Sequence, residues 1–211
     1  MSRFPPPGLE REHALWGNGA GLVAGLDEAG RGAWAGPVAA AAVVLPAGED
    51  DALCSRLAGV RDSKLMTHLQ RMRWAEVIRL EALEWAVGWA SAEEIDEMGI
   101  LPATRLAMQR ALEQLAAHPH HLLIDALRLP AVDLPQTPLV HGDRICLSIA
   151  AASVLAKTCR DARLVELDAQ LPGYGLARHK GYGTAIHRAA LEKLGPTPQH
   201  RRSYAPVRAV L

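Results

Sequence analysis

The chain lacks the features that mark secreted and membrane proteins. Its three cysteines, Cys54, Cys146 and Cys159, are an odd number without C-x-x-C spacing, which is typical of reduced thiols rather than of a disulfide framework or a zinc knuckle. No run of about 18 apolar residues occurs, and the first eight residues contain three prolines and no apolar run. We therefore expect a cytoplasmic protein that does not cross a membrane.

Net charge is also missing. The 211 residues include 23 Lys and Arg and 23 Asp and Glu, which argues against a uniformly basic nucleic-acid binder. The distribution is uneven, because residues 178–208 contain seven basic residues and one acid, whereas the rest of the chain has a net charge of −6. This basic segment is compatible with an arm that faces a polyanion beside an acidic metal pocket, and equally with a solvated terminal helix and tail.

Hydrophobic patterning predicts an α/β protein with one main domain. We expect a loose N-terminal tail over 1–20, a main domain over 21–171 and a basic helical segment over 172–211. Apolar runs predict strands at 21–26, 37–45, 84–90 and 122–124 and near 139–140, and helical spacing predicts helices over 67–80, 102–117, 148–171 and 184–194. This order predicts a mixed central sheet of about five strands, antiparallel first and parallel later, flanked by helices.

Acidic residues end two of the apolar runs. Asp27 and Glu28 follow the first run, and Asp125 follows the run at 122–124. Each acid could simply cap the next turn, but acids at the ends of buried strands also lie where α/β proteins place ligands. If several met there, a cation would have to offset their repulsion, and oxygen ligands suit Mg²⁺ or Mn²⁺. Asp27 and Glu28 could share one site only if their strand bends or ends there.

A glycine-rich stretch follows these acids. Gly30, Arg31 and Gly32 would let a ligand approach the backbone, and the Arg31 guanidinium could hold a phosphate. The stretch is not a dinucleotide fingerprint, because Ala35 stands where G-x-G-x-x-G requires glycine. By itself it is a weak signal.

Eight short motifs occur in order along the chain. They are Gly25–Gly32, Gly36–Val38, Asp62–Lys64, Asp125, Gly142-Asp143, Ser148–Lys157 with Arg160-Asp161, Lys180–Thr184 with His187, and His200–Ser203. Together they resemble the ribonuclease HII family, the type 2 ribonucleases H of prokaryotes. The resemblance covers the chain from Gly25 to Tyr204.

The resemblance implies a ribonuclease H-like fold and an endonuclease that acts on RNA paired with or joined to DNA. It implies hydrolysis with two divalent ions, Mn²⁺ or Mg²⁺, and nicking on the 5′ side of a single ribonucleotide embedded in duplex DNA, which leaves 3′-hydroxyl and 5′-phosphate ends. The implied catalytic residues and metal ligands are Asp27, Glu28, Asp125 and Asp161. The substrates are RNA–DNA hybrid and ribonucleotide-containing duplex DNA, and we expect a monomer.

The resemblance also implies a substrate-binding set. The backbone of Gly30, Arg31 and Gly32 would read the 2′-hydroxyl, the group that distinguishes RNA from DNA, and Tyr182 would pack on the neighbouring deoxynucleotide sugar. Judged without the family, Tyr182 is a turn aromatic that covers the core edge. The remaining members of the set, assigned to substrate contacts and mostly to phosphates, are Lys64, Lys180, Thr184, Arg201 and Arg202.

Two positions depart from the expected motifs. His141 stands where we expect Lys before Gly-Asp, and Tyr204 stands where Phe usually follows Arg-Arg-Ser. Neither is one of the acids, so they bear on substrate affinity rather than on chemistry. Two other functions remain open at this point: another nuclease of the same fold class, such as a junction resolvase or a hybrid-only ribonuclease, and a non-catalytic nucleic-acid binder that uses the basic segment.

Overall fold

A five-stranded mixed sheet forms the centre of the computed structural model, which describes residues 5–48 and 50–211. Its strands are β1 (Val23–Ala29), β2 (Val38–Val44), β3 (Glu84–Ala90), β4 (His121–Asp125) and β5 (Gln136–Leu139). They are ordered β3-β2-β1-β4-β5 across the sheet, with antiparallel pairing from β3 to β1 and parallel pairing from β1 to β5. The predicted change from antiparallel to parallel pairing is confirmed.

Helices pack on both faces of this sheet. Within the described residues they are α1 (Glu10–Gly17), α2 (Asp50–Arg56), α3 (His68–Glu81), α4 (Ala92–Met98), α5 (Ile100–Glu113), α6 (Gly142–Ile145), α7 (Leu147–Gln170), α8 (Leu176–His179), α9 (Ala185–Leu194) and α10 (Ala205–Arg208). A 3-10 turn spans Ser63–Leu65. None of the described helices is both long and apolar enough to cross a membrane.

Capping residues account for several helix starts. The Thr67 hydroxyl accepts a hydrogen bond from the Gln70 amide, and the Gln70 side chain accepts one from the Thr67 amide, so α3 begins with a capping box. The Thr184 hydroxyl caps α9 by accepting from the His187 amide at 3.3 Å. The predicted helices over 67–80, 148–171 and 184–194 are confirmed to within one residue at either end.

Small side chains allow the long helix α7 to lie directly on the sheet. Ala150, Ala151 and Ala152 are fully buried against the face that also carries Ala41 and Val43 of β2. The other face packs on α5. The C-terminal half of α7 shares a third apolar cluster with the segment after Leu171, so that segment is joined to the main domain by a common core.

The expectation of a loose tail over 1–20 is wrong for residues 10–17, which form α1; residues 1–4 lie outside the described range. Glu12 is fully buried, and its Oε1 accepts hydrogen bonds from the Ser148 amide at 2.8 Å and from the Cys146 thiol at 3.1 Å. An acid here satisfies an amide at the start of α7 and complements the helix dipole. The sequence gives little sign of this, because α1 has few apolar residues and its anchor is a charged one.

Strand β1 also runs further than the apolar pattern indicates. The predicted strand ends at Leu26, whereas β1 continues through Asp27 and Glu28 to Ala29 because β2 pairs with it along that whole length. Pairing with β4 does stop at Leu26, opposite Ile124. The two acids therefore lie on a strand that has lost one of its two neighbours.

Gly25 is the point of closest approach between β1 and α7. A Cβ atom added there would lie 2.3 Å from the Ser148 carbonyl carbon, which is backbone and cannot rotate away.

We predict that Gly25→Ala lowers the free energy of unfolding by about 1–3 kcal/mol because the helix and the strand must separate. Gly17→Ala is the matched control, since no atom lies within 4 Å of the added methyl group. Urea unfolding followed by circular dichroism measures both. Equal midpoints for the two variants would contradict the close packing.

Candidate active site

Two of the predicted acids lie side by side at the ends of the central parallel strands. Leu26 of β1 is level with Ile124 of β4, so Asp27 and Asp125 each follow at the same height. Asp27 is 4% exposed and Asp125 is half-buried. The carboxyl ends of parallel strands are where open α/β sheets bind their ligands.

A third aspartate, Asp143, approaches from the turn after β5. His141 takes a left-handed conformation (φ 56°), which turns the chain into the short helix α6. The Gly142 amide then donates a hydrogen bond to Asp125 Oδ1 at 2.7 Å, and this contact places the buried Asp143 next to the strand ends. The sequence motif Gly142-Asp143 includes this residue, but the motif by itself indicates no role for it.

The carboxylates repel one another. Burial raises the pKa of Asp27 well above its ordinary value, and the negative charges of Glu28 and Asp125 raise it further. Asp143 also contributes to this rise, while a hydrogen bond from Ser153 opposes it. The pKa of Asp143 itself is raised to about 6 by burial and then by Asp62 and Asp125. Four acids, Asp27, Glu28, Asp125 and Asp143, therefore share one electrostatic field.

Glu28 has an oxygen with no partner. Its Oε1 accepts from Arg31 Nη1 at 3.3 Å, whereas its buried Oε2 has no hydrogen bond. Burial raises the pKa of Glu28 even though Arg31 opposes the shift. A buried carboxylate oxygen without a donor is costly unless a cation or another ligand contacts it.

This donor set fits a hard divalent cation by chemistry and by charge. The four acids offer only carboxylate oxygens, the ligands preferred by Mg²⁺ and Mn²⁺, and a cation would offset their repulsion. Among the residues that the structure describes, no three His, Cys, Asp or Glu side chains form a closed metal-binding group. The four acids are therefore close enough to influence one another electrostatically, but their oxygens do not converge on a single coordination point.

The structure does not bring Asp161 into this group, contrary to the expectation. Lys157 Nζ donates to its Oδ1 at 2.7 Å, and Arg71 Nη2 donates to its Oδ2 at 3.3 Å. Asp161 is buried, and both of its oxygens are already engaged by cationic side chains. The acid that lies beside Asp27 and Asp125 in this structure is Asp143.

Lys64 lies at the edge of the acid cluster. Burial lowers its pKa, but the charges of Asp27, Asp62 and other nearby acids outweigh burial, and the net shift is upward. Its ammonium group is therefore held charged, facing the carboxylates. This position suits a contact to a phosphate that approaches the same acids.

A buried arginine joins the two glycine-rich loops beside the acids. Arg160 of α7 is fully buried and donates to the carbonyl oxygens of Ala35, Pro37 and Lys180 at 2.9 to 3.1 Å. Gly30 (φ 98°) lies directly against it, since an added Cβ would be 1.9 Å from Arg160 Nε. Burial lowers the pKa of Arg160 to about 10, so it remains charged at neutral pH. The loops 30–37 and 180–184 are consequently fixed to one side chain.

Comparisons with known proteins agree with this geometry. A model of the ribonuclease HII family matches residues 24–207. The ribonuclease HII of Synechococcus sp. (strain JA-3-3Ab) is 53% identical over 208 residues, covering 99% of this chain and 92% of that protein. The ribonuclease HII of Moorella thermoacetica is 52% identical over 193 residues, covering 92% and 91%.

The chain belongs to the ribonuclease HII family. It is therefore a ribonuclease H, a hydrolase that cleaves the RNA of RNA–DNA hybrids internally, and its family depends on divalent metal ions. Solved structures confirm the ribonuclease H-like fold: ribonuclease H2 of Pyrococcus horikoshii OT3 superposes with a TM-score of 0.71 at 25% identity, covering 90% of this chain and 96% of that one. RNase HII of Archaeoglobus fulgidus, solved in complex with PCNA, gives 0.72 at 25% identity, covering 87% and 95%.

Arg201 does not occupy the role expected for it in this ribonuclease HII. Its side chain is fully buried, and its guanidinium donates twice to the Gly36 carbonyl and once to the Arg31 carbonyl. A guanidinium enclosed in this way cannot reach a phosphate. The neighbouring Arg202 remains exposed, so it is still available for such a contact.

The other substrate residues expected in this ribonuclease HII lie on one loop. Tyr182 is half-buried, with Lys157 Nζ and Arg160 Cζ 5.3 and 5.5 Å from its ring centre. Lys180 has a left-handed backbone (φ 52°), and its ammonium group donates to the Ala177 carbonyl. The Thr184 hydroxyl caps α9, so its observed contact is structural. The loop therefore presents Tyr182 as its main aromatic surface.

Two hydrogen-bonded histidines, His187 and His200, hold the Tyr182 loop through its backbone. The Thr197 amide donates to His200 Nδ1, so the His200 proton is on Nε2 and is donated to His187 Nε2 at 3.1 Å. His187 then has its own proton on Nδ1, which it donates to the Tyr182 carbonyl at 3.1 Å. His179 stacks on His187 with ring centres 4.4 Å apart. In this row of hydrogen bonds, each of the His187 and His200 rings uses one nitrogen as an acceptor and the other as a donor. This pattern requires both imidazoles to be neutral.

Acid should weaken this support. Burial lowers the pKa of His187 and of His200 to about 4, below the unfolded value of about 6.5. Between these values the unfolded chain binds more protons, so the stabilisation is complete above pH 6.5 and is lost as the pH falls towards 4. We predict that His200→Gln reduces this pH dependence, as measured by urea unfolding across the range.

His68→Gln is the matched control, because His68 is exposed at the start of α3. The buried acids shift stability in the opposite direction over the same range, so the comparison is between the slopes of the variants and that of the wild type. Identical slopes for His200→Gln and the wild type would contradict the neutral histidine chain.

Proposed function

We propose that this ribonuclease HII hydrolyses the phosphodiester bond with two divalent ions held by Asp27, Glu28, Asp125 and Asp143. The carrying observation is the placement of these acids together at the edge where β1 and β4 stop pairing, with a buried Glu28 oxygen that has no hydrogen-bond partner. Their burial and like charge, which a pair of cations would offset, support the proposal. When bound, Mg²⁺ or Mn²⁺ would supply a nucleophile from water and neutralise the departing oxygen. In-line attack at the phosphorus would leave 3′-hydroxyl and 5′-phosphate ends.

The protein's own side chains orient the substrate for this step. The charged Lys64 beside the acids would hold a phosphate at the cluster. Arg31 now pairs with Glu28, and a phosphate or a cation that reached this pair would free the guanidinium to contact the substrate backbone. These contacts position the strand without reading its sequence.

Selection of RNA is assigned to the two joined loops. The backbone of Gly30, Arg31 and Gly32, of which Gly30 is buried and the other two residues are exposed, would contact the 2′-hydroxyl. Tyr182 would lie against the next sugar, which lacks that group. Arg160 donates hydrogen bonds to both loops, and this shared anchor supports a fixed separation between them, which suits the reading of an RNA–DNA junction. We therefore propose that a single ribonucleotide in duplex DNA suffices for cleavage on its 5′ side. A cytoplasmic monomer remains our prediction.

The test is a duplex with one ribonucleotide and a 5′ label on that strand, incubated with Mn²⁺ or Mg²⁺. We predict a single nick on the 5′ side of the ribonucleotide. Cleavage of a long hybrid without cleavage of this duplex would instead indicate a hybrid-only ribonuclease. An intact strand in both duplexes would indicate a binding protein.

A second test removes one proposed ligand. We predict that Asp27→Asn lowers the cleavage rate at least about 100-fold, because several kcal/mol of charge stabilisation are lost. The folded-state pKa of Asp27 is raised, so its charge destabilises the metal-free protein at pH 7, and the neutral Asn variant should unfold at no lower temperature than the wild type.

The control is Asp133→Asn, which changes an exposed acid in the loop before β5. It should cleave at the wild-type rate. Retained cleavage by Asp27→Asn would count against the metal assignment. Because the variant is expected to be at least as stable as the wild type, a loss of cleavage could not be attributed to unfolding.

A further inference from the structure

Tyr204 contacts the loop that we assign to the 2′-hydroxyl. Its hydroxyl donates to the Arg31 carbonyl at 2.5 Å and accepts from Arg201 Nη1 at 3.1 Å. Arg201 Nη1 also donates to the same Arg31 carbonyl at 2.8 Å. The three groups form a closed triangle, and the arginine, which can only donate, fixes the direction of the tyrosine proton.

The position of the Arg31 carbonyl controls the backbone on both sides of it. Gly30 and Gly32 have no side chains to pack, so hydrogen bonds and close contacts of the backbone restrain this stretch. No atom lies within 4 Å of a Cβ added at Gly32, whereas Gly30 is in contact with Arg160. On the Gly32 side, the peptide plane that carries the Arg31 carbonyl is therefore held through that oxygen by Arg201 and Tyr204.

The tyrosine is itself rigidly mounted. Asp96 of α4 accepts hydrogen bonds from the amides of Arg202 and Ser203 at 2.7 and 2.9 Å, which anchors the turn before it. The ring packs against apolar clusters on two sides, one beneath α5 and one on α7. It also stacks near the Arg201 guanidinium, 5.3 Å from its ring centre. The hydroxyl is thus presented to the loop from a fixed frame.

We propose that the Tyr204 hydroxyl is a positioning group for ribonucleotide recognition, acting through the Arg31 carbonyl on the Gly30–Gly32 backbone. The inference rests on the proposed function of that backbone. It also gives a role to a hydroxyl that the expected Phe would lack. Tyr204 touches neither the acids nor the proposed substrate, so it acts on selectivity through the loop.

The test compares Tyr204→Phe with Tyr174→Phe. The two tyrosines belong to the same apolar cluster, and each donates its hydroxyl to a backbone carbonyl, that of Tyr174 to Gly195 at 2.6 Å. Each substitution removes a hydrogen bond from the hydroxyl to a backbone carbonyl and leaves the ring in place; Tyr204→Phe also removes the hydrogen bond that Arg201 Nη1 donates to the hydroxyl. Of the two tyrosines, only Tyr204 contacts the Gly30–Gly32 loop. The two variants therefore distinguish an effect on the position of that loop from an effect on general stability.

Affinity is measured in EDTA for two duplexes that differ by one 2′-hydroxyl, one all-DNA and one with a single ribonucleotide. We expect Tyr204→Phe to reduce the affinity ratio between them by about three- to tenfold, the size of one net hydrogen bond, and Tyr174→Phe to leave the ratio unchanged. The melting temperatures of both variants are recorded, and similar values with different ratios would support the proposal.

An unchanged ratio in Tyr204→Phe, or equal changes in both variants, would overturn the role of Tyr204. Wild-type protein that binds the two duplexes equally would overturn the assignment of the loop itself, and the inference with it. A wild type that discriminates while Tyr204→Phe does not differ from it would leave the proposed function standing and reject only the inference.

Discussion

Repulsion among buried carboxylates is the constraint on which the rest of the site depends. Asp27 and Asp125 lie on the neighbouring parallel strands β1 and β4, one residue beyond the last pair between them, and the turn after β5 adds Asp143 through the hydrogen bond from the Gly142 amide to Asp125. Burial and like charge raise the pKa values of Asp27 and Asp143. Holding several acids close together destabilises the metal-free protein, and a bound cation would relieve that cost.

Buried arginines provide the complementary rigidity. Arg160 and Arg201 donate to backbone carbonyls rather than to acids, and together they hold the segment from Arg31 to Pro37 and the start of the Tyr182 loop. The Gly36 carbonyl accepts two of these hydrogen bonds, and the Arg31 carbonyl accepts one from Arg201 and one from Tyr204. The result is a pair of loops joined through buried arginines next to a charged cluster, which supports the proposed recognition of one sugar group.

Local patterns predicted most of the fold. Alternation gave β3 its exact bounds, and Thr67 marked the start of α3. Helix α4 was missed although Ser91 and Glu94 form a capping box, because its seven residues are too few for apolar spacing to stand out. Asp161 and Arg201 were assigned by motif alone. Asp161 contacts Arg71, which is 90 residues away in the sequence, and Arg201 contacts the Arg31 carbonyl, which is 170 residues away. Only folding brings these partners together, so local sequence patterns do not indicate the contacts.

The most direct measurement of the central claim is a crystal structure of the protein with Mn²⁺, located by its anomalous scattering. The account predicts manganese peaks bound by oxygens of Asp27, Glu28, Asp125 and Asp143, with Asp161 still paired with Lys157 and Arg71. Peaks bound by Asp161 in place of Asp143, or no peak at the ends of β1 and β4, would contradict it.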